Sequence, residues 1–204
     1  MPASNPTHQV TPLEKGRVRF TPLKMKNIHT HLRWNNDSEL NRLDSEIPHE
    51  EESFGNFKER FEQLCNDPSL SHRDFEIHDA VQDELIGVAY VARISFHHDH
   101  ALVGVTIGER DYWGKGYGKE SLRLLLHYCF QTLDLHRVSA EAFEYNTAWG
   151  DLVEGVGFTR EGTAREYLFR DGTYWDKKHY ALLEQEWRDR FEEDIPTTSA
   201  EAAV

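Results

Sequence analysis

The sequence is short of cysteine, of basic charge and of long apolar runs, and each shortage removes a class of protein. Only Cys65 and Cys129 occur, far apart and in no paired spacing. That supports neither a disulfide framework nor a cysteine zinc site, and both thiols are expected to be buried small hydrophobes. No apolar run approaches the ~18 residues needed to cross a bilayer. The start, MPASNPTHQV, carries neither a basic n-region nor an apolar h-region, so a cytoplasmic protein without membrane partners is expected. Lys and Arg number 23 against 36 Asp and Glu, a formal charge of -13. Such a balance repels nucleic-acid phosphates and favours encounter with cations such as polyamines or basic peptides. No internal repeat is visible.

What is present is an ordinary globular composition, with 38% hydrophobic and 12% aromatic residues in 204, enough for one substantial core. Residues 1–14 and 194–204 lack periodicity and are expected to be loose tails around a single domain at 15–193. Arg17 to Thr21 alternates like a strand, and 26–34 and 50–65 read as helices. The second helix sets Phe54, Phe57, Phe61 and Leu64 on one face. Runs at 75–81, 84–96 and 101–107 then read as an antiparallel meander joined by polar turns. A helix over 115–132 carries Leu122, Leu125, Leu126, Cys129 and Leu133 on one stripe. A strand at 136–143 follows, then a helix opening near Asn146 and capped by Gly157. Two strands flank the hairpin signal Asp171-Gly172, and a charged helix from Glu184 to about Glu193 closes the chain.

The stretch YWGKGYGKE, Tyr112 to Glu120, places glycines at 114, 116 and 118 between a strand and a helix. Bare amides at a helix front make an anion cradle suited to phosphate or diphosphate, and Lys115 and Lys119 add positive charge to an acidic chain. A Walker loop would need Ser or Thr after Lys119, where Glu120 stands, and the dinucleotide fingerprint would need glycine at 119. A nucleotide switch is therefore disfavoured. His97-His98-Asp99-His100 sits at a hairpin tip without a second ligand segment, so no metal site is expected.

Together with LHRVSAEAFEYN at 135–146, VGFTREG at 156–162 and FRDGTYWDKKHYALLEQEW at 169–187, this stretch resembles the GNAT superfamily of acetyl-CoA-dependent N-acetyltransferases, in its RimJ/RimL-type branch. The resemblance spans about Gly16 to Trp187. The family's diphosphate motif, Arg/Gln-x-x-Gly-x-Gly/Ala, falls on Trp113, Gly114, Lys115, Gly116, Tyr117 and Gly118, with Trp113 departing at the first place. The resemblance implies the GNAT fold, an α/β (α+β) arrangement. Its central sheet is mixed and mostly antiparallel, with about seven strands splayed between the fourth and fifth and helices on its flanks.

It also implies acetyl-CoA, with its diphosphate on Lys115 to Lys119 and its thioester carbonyl polarised by main chain near Val105, Thr106 and Ile107. Asn146 is expected to contact the pantetheine arm, or to act as a plain helix cap, or both. The acceptor is a primary amine that attacks directly in a ternary complex: a protein N-terminus first, a polyamine, aminoglycoside or other small amine next. Candidate bases are Glu141 and Glu109, each with an ordinary solvated carboxylate as its alternative. Many members carry a tyrosine acid where this chain has Val153. Tyr145 is a substitute candidate, and a weakly catalytic acyl-CoA-binding regulatory module is the alternative function. Glu166, Tyr167, Tyr174 and Trp175 lie in the terminal hairpin expected to border the acceptor. A homodimer is possible.

Overall fold

The computed structural model describes residues 13–66 and 69–191. In chain order the elements are β1 (Leu13–Lys15), β2 (Val18–Thr21), α1 (Ile28–Asn35), α2 (Ser38–Asp44), α3 (Phe54–Asn66), β3 (Arg73–Asp79), β4 (Leu85–Ser95) and β5 (His100–Ile107). Then come α4 (Tyr117–His127), β6 (Arg137–Phe143), α5 (Thr147–Val156), β7 (Thr159–Arg170), β8 (Thr173–Leu183) and α6 (Glu184–Phe191). Hydrogen bonding orders the strands β1-β2-β3-β4-β5-β6-β8-β7 in one eight-stranded sheet, one strand more than expected. The addition is β1, whose Leu13 and Glu14 were counted with the amino-terminal tail. The remaining tail residues lie outside the described ones. By contact the described residues divide into two compact units, one drawn from the stretches up to Ala92 and Val103–Leu126, the other from Arg93–Leu102 and the stretch from His127 on.

In the first unit, β1, β2, β3 and β4 pair antiparallel in sequence. A register shift pairs Ile77 with Gly87 but His78 with Leu85, leaving Ile86 as a bulge. Its carbonyl accepts the N–H groups of Gly108 at 2.9 Å and Glu109 at 3.1 Å, which turns the chain sharply at the end of β5. Val18, Phe20, Phe75, Ile77, Leu122 and Leu125 are buried, each contributing about 1.5–3 kcal/mol by burial. A second cluster joins Ile28 of α1 to Phe57 and Phe61 of α3. The apolar face expected on α3 is only half buried, since Phe54 is 44% and Leu64 41% exposed. Phe54 stacks on His29, with centroids 5.1 Å apart. Cys65 is half-buried rather than buried, packed at the edge of that cluster.

In the second unit, β6 pairs in parallel with β5 over His100↔Arg137, Ala101↔Val138 and Leu102↔Ser139, and antiparallel with β8 along its whole length. β7 and β8 form the hairpin around Asp171 and Gly172, with φ of 54° and 75°. Two positive φ values in a two-residue loop give the type I′ turn whose twist matches the strands. Asn146 caps α5 through the Trp149 N–H at 3.2 Å, and Gly157 ends it at φ 121°. The helix expected over 115–132 is α4 followed by a π-turn at Tyr128–Thr132, with Cys129 fully buried.

Candidate functional site

The first unit holds the glycine loop. Gly114 and Gly116 adopt φ of 70° and 89°, where L side chains are strained. A β-carbon on Gly114 would meet nothing within 4 Å, and one on Gly116 would stand 3.2 Å from Arg17 Nη2. Backbone hand, more than crowding, therefore requires glycine, and the loop surface is open for a ligand to reach the main chain. Gly118 lies in the first turn of α4, whose leading N–H groups have no partner inside the helix, and Lys115 and Lys119 are exposed. The residues present thus fit a diphosphate.

The loop is tied down from several sides. Arg17 donates to the Lys115 carbonyl at 3.1 Å, bonds Glu120 through Nε at 2.9 Å, and lies 4.6 Å over the Tyr117 ring. The Tyr117 hydroxyl donates to Asp79 at 2.7 Å. Trp113 engages through its side chain: its indole N–H donates to the Ile107 carbonyl at 2.7 Å. The loop and the end of β5, two stretches assigned to the donor from sequence, are thereby joined. A recess of about 300 Å³ beside the loop is lined by Glu84, Glu109 and Asp111, with Lys115 as its basic residue. That charge repels phosphate, so the recess itself does not suit a diphosphate.

A second cavity, of about 580 Å³, opens among α1, α2, α3 and β5 in the same unit, with Trp34, Phe57 and Phe61 as aromatic walls and Asp44, Asp74 and Thr106 as polar ones. Trp34 is held by close approach, since a β-carbon on Gly108 would stand 2.3 Å from its indole. Its Nε1–H donates to Glu109 at 3.2 Å, and Arg33 pairs with the same carboxylate. Glu109 is therefore engaged rather than solvated. Thr106 Oγ1 donates to Asp44 Oδ2 at 3.2 Å. Asp44 keeps surface open where it lines the cavity, yet the surrounding protein desolvates its carboxyl and pushes its pKa up, partly offset by the Thr106 bond. Behind the cavity wall, the buried Glu76 accepts from His31 and His78 at 3.1 Å each and from Asn27 at 2.7 Å.

The second unit holds the other expected residues. Glu141 pairs with the buried Lys177 and accepts from Arg93 at 3.2 Å, so it too is held by cations. The Tyr145 hydroxyl accepts from Arg170 at 2.8 Å, a bond that uses its oxygen and not its proton. Trp175 meets the Tyr145 ring edge-on at 5.2 Å. Glu166 has φ 52°, and its N–H donates to Asp176 at 2.8 Å. Lys177 Nζ stands 4.7 Å over the Tyr167 ring. Tyr174 faces Phe169 at the hairpin tip, 61% exposed, apart from the Tyr145–Trp175 pair. Val153 is fully buried in α5, so no hydroxyl replaces the missing tyrosine there.

Sequence reasoning missed α2 and with it Asp44, although Asp37-Ser38-Glu39 is a legible helix start: Asp37 Oδ1 accepts from the Glu39 and Leu40 N–H groups at 3.0 and 3.1 Å. Arg17 and the Glu76 cluster were also missed, because their partners lie far away in sequence. Among the described residues no group of three or more His, Cys, Asp or Glu side chains could hold a metal, and no helix is long and apolar enough to cross a membrane.

Comparison with known proteins gives a consistent set. The profile of the Acetyltransferase (GNAT) domain matches residues 17–159. The ribosomal protein uS5-alanine N-acetyltransferase of Escherichia coli (strain K12) is 36% identical over 116 residues, 55% of this chain and 58% of that protein. The chain thus spans little more than half of that relative. The spermidine N(1)-acetyltransferase of Vibrio cholerae is 29% identical over 180 residues, 88% of this chain and 95% of that one. A crystal structure of the Vibrio cholerae spermidine N-acetyltransferase in complex with CoA and spermine superposes with a TM-score of 0.76 at 26% identity, covering 85% of this chain and 99% of that one. With the glycine loop, the strand order and the profile match in agreement, the chain belongs to the GNAT family of acetyl-CoA-dependent N-acetyltransferases.

Proposed function

We propose that this chain moves the acetyl group of acetyl-CoA to a primary amine seated in the cavity among α1, α2, α3 and β5, with a protein N-terminal amine as the first acceptor class. The carrying observation is Thr106, which belongs to the β5 segment assigned to the thioester and is also a wall of that cavity. An amine in the cavity then lies within a side chain's length of the acyl group. The front of α4 binds the diphosphate, and β5 main chain polarises the carbonyl. The 36% identity to a ribosomal-protein acetyltransferase supports the N-terminal acceptor.

A polyamine is the second reading. It is supported by the carboxylates of Asp44, Glu46 and Asp74 in the cavity and by the alignment to a spermidine acetyltransferase over 88% of this chain. Thiol release from acetyl-CoA, measured across N-terminal peptides, spermidine, aminoglycosides and amino acids, ranks the acceptors by kcat/KM. Turnover with peptides above spermidine supports the first reading, and the reverse order the second. Tight acetyl-CoA binding with silence across the panel would instead favour a regulatory module, as Val153 in place of an acid allows.

A further inference from the structure

The cavity's charged groups differ in how they are partnered. His31, from α1, bonds Glu76 at 3.1 Å. Arg60, from α3, bonds Glu52 at 2.6 Å and Asn35 at 3.1 Å. Asp74, from β3, bonds His72 at 2.9 Å. Glu46, from the segment after α2, also lines the cavity. Asp44 stands apart: among the described residues the side chain bonded to its carboxylate is the Thr106 hydroxyl, and no cation pairs with it. Asp44 keeps exposed surface, yet the protein around its carboxyl disfavours the charged form, and its hydroxyl partner supplies no counter-charge. An ammonium ion entering the cavity supplies the missing charge, while Trp34, Phe57 and Phe61 offer apolar and π surface to the stem that carries it.

The geometry points to Asp44 as the group that receives the acceptor's ammonium and takes its proton, and to primary amines on an apolar stem as the substrate class of this cavity. The inference rests on the acetyl-transfer reading above. One ammonium proton passes to Asp44, and the freed lone pair forms the C–N bond to the acyl carbon. The C–S bond breaks with its pair on sulfur, a second amine proton converts that thiolate to the CoA thiol, and Asp44 returns its own proton to water. At pH 7 only about one in ten N-terminal amines and about one in a thousand alkylamines is unprotonated without help. A carboxyl with a raised pKa lies closer to the amine and is the better base for it. Thr106 is a positioning residue, aiming the carboxylate across its 3.2 Å bond.

The test compares wild type with Asp44→Asn, Thr106→Val and Thr106→Ser in the full chain. Acetyl-CoA affinity by calorimetry is expected to stay within about twofold in Asp44→Asn, while kcat/KM for the amine falls by ~10² to 10⁴. The acid limb of the kcat/KM profile should also move up to the amine's own range, about 8 for an N-terminus or about 10 for an alkylamine. Thr106→Ser should keep the wild-type limb, and Thr106→Val should shift it. An Asp44→Asn enzyme with an unmoved limb and kcat/KM within threefold of wild type overturns the proposal. Calorimetry of spermidine and of an N-terminal peptide without acetyl-CoA separates this from failure of the acetyl-transfer reading. If wild type turns over no amine, loss of amine binding in Asp44→Asn still supports the anchor, and equal binding refutes it.

Discussion

Arg17 and Glu120 are joined through both backbone and side chain: the Arg17 N–H donates to Glu120 Oε2 at 3.1 Å and its Nε to Oε1 at 2.9 Å. This doubles the tie between the start of β2 and the first turn of α4 and neutralises a carboxylate next to the proposed diphosphate seat. Arg17→Ala removes the bonded cation from Glu120 at the helix front and frees the Lys115 carbonyl. Acetyl-CoA affinity is expected to fall roughly tenfold through loss of positioning, with little change in melting temperature, since the pair is largely exposed. Calorimetric titration with CoA checks it.

Gly116→Val is a harsher test of the same loop. The position has φ 89°, which a β-branched residue resists by about 1–3 kcal/mol, and its side chain would grow toward Arg17 Nη2. KM for acetyl-CoA should rise by more than tenfold while circular dichroism remains that of a folded protein. Unchanged KM would place the diphosphate elsewhere. Gly114→Ala, with nothing within 4 Å of its β-carbon, should cost less.

Local signals were legible in proportion to how local their physics is. Asp171-Gly172 specifies its own turn, and Asn146 and Gly157 bracket α5 through contacts a few residues away. The stripe on α4 was readable because Leu122, Leu125, Leu126 and Cys129 are all buried. β1 was missed because three residues, none buried, become a strand only by pairing with β2. The seven residues of α2 bury Leu40 alone, so no apolar period announced them. The same distance rule governs the site. The need for glycine at 114 and 116 was legible from the loop itself, and both take positive φ, whereas the partners of Glu141, Lys177 and Arg93, lie 36 and 48 residues away in sequence, and Thr106 and Asp44 are 62 apart. Such pairings exist only once the chain has folded.

Glu76 predicts an acid-sensitive fold. Burial works to raise its pKa, but the bonds from His31, His78, Asn27 and the Lys24 N–H outweigh that and lower it from 4.5 to about 2. A folded pKa below the unfolded one gives stability that is fully present above about 4.5 and is lost as pH falls toward about 2. At 1.36 kcal/mol per pH unit this amounts to about 3 kcal/mol. Urea unfolding of wild type should weaken across that window, and Glu76→Gln should be less stable at pH 7 and flatter below pH 4.5. A variant with the wild-type pH dependence would assign the acid sensitivity to other groups.

Val153→Tyr would restore the hydroxyl that many relatives carry, but Val153 is fully buried. Forcing a ring into that site overpacks α5, at a cost of about 1–3 kcal/mol or more. The expected result is a lower melting temperature without a gain in turnover. A stable variant with faster thiol release would mean that the site can open around the larger residue.

Glu141→Gln separates a structural carboxylate from a catalytic one. Lys177 is 5% exposed and pairs with Glu141, so removing the negative charge takes an anionic partner from a buried ammonium, which costs about 1–3 kcal/mol. Arg93, at 3.2 Å from the same carboxylate, remains exposed to solvent and loses little. If Glu141 is structural, Glu141→Gln lowers the melting temperature, Glu141→Gln combined with Lys177→Met recovers much of it, and the pH profile of the residual activity keeps its acid limb. If Glu141 instead accepts the amine's proton, stability barely changes and the acid limb disappears. The two outcomes are read from thermal unfolding and from kcat/KM against pH on the same preparations. Both oxygens of this carboxylate are already occupied, Oε1 by Arg93 and Oε2 by Lys177, so the structural outcome is the expected one.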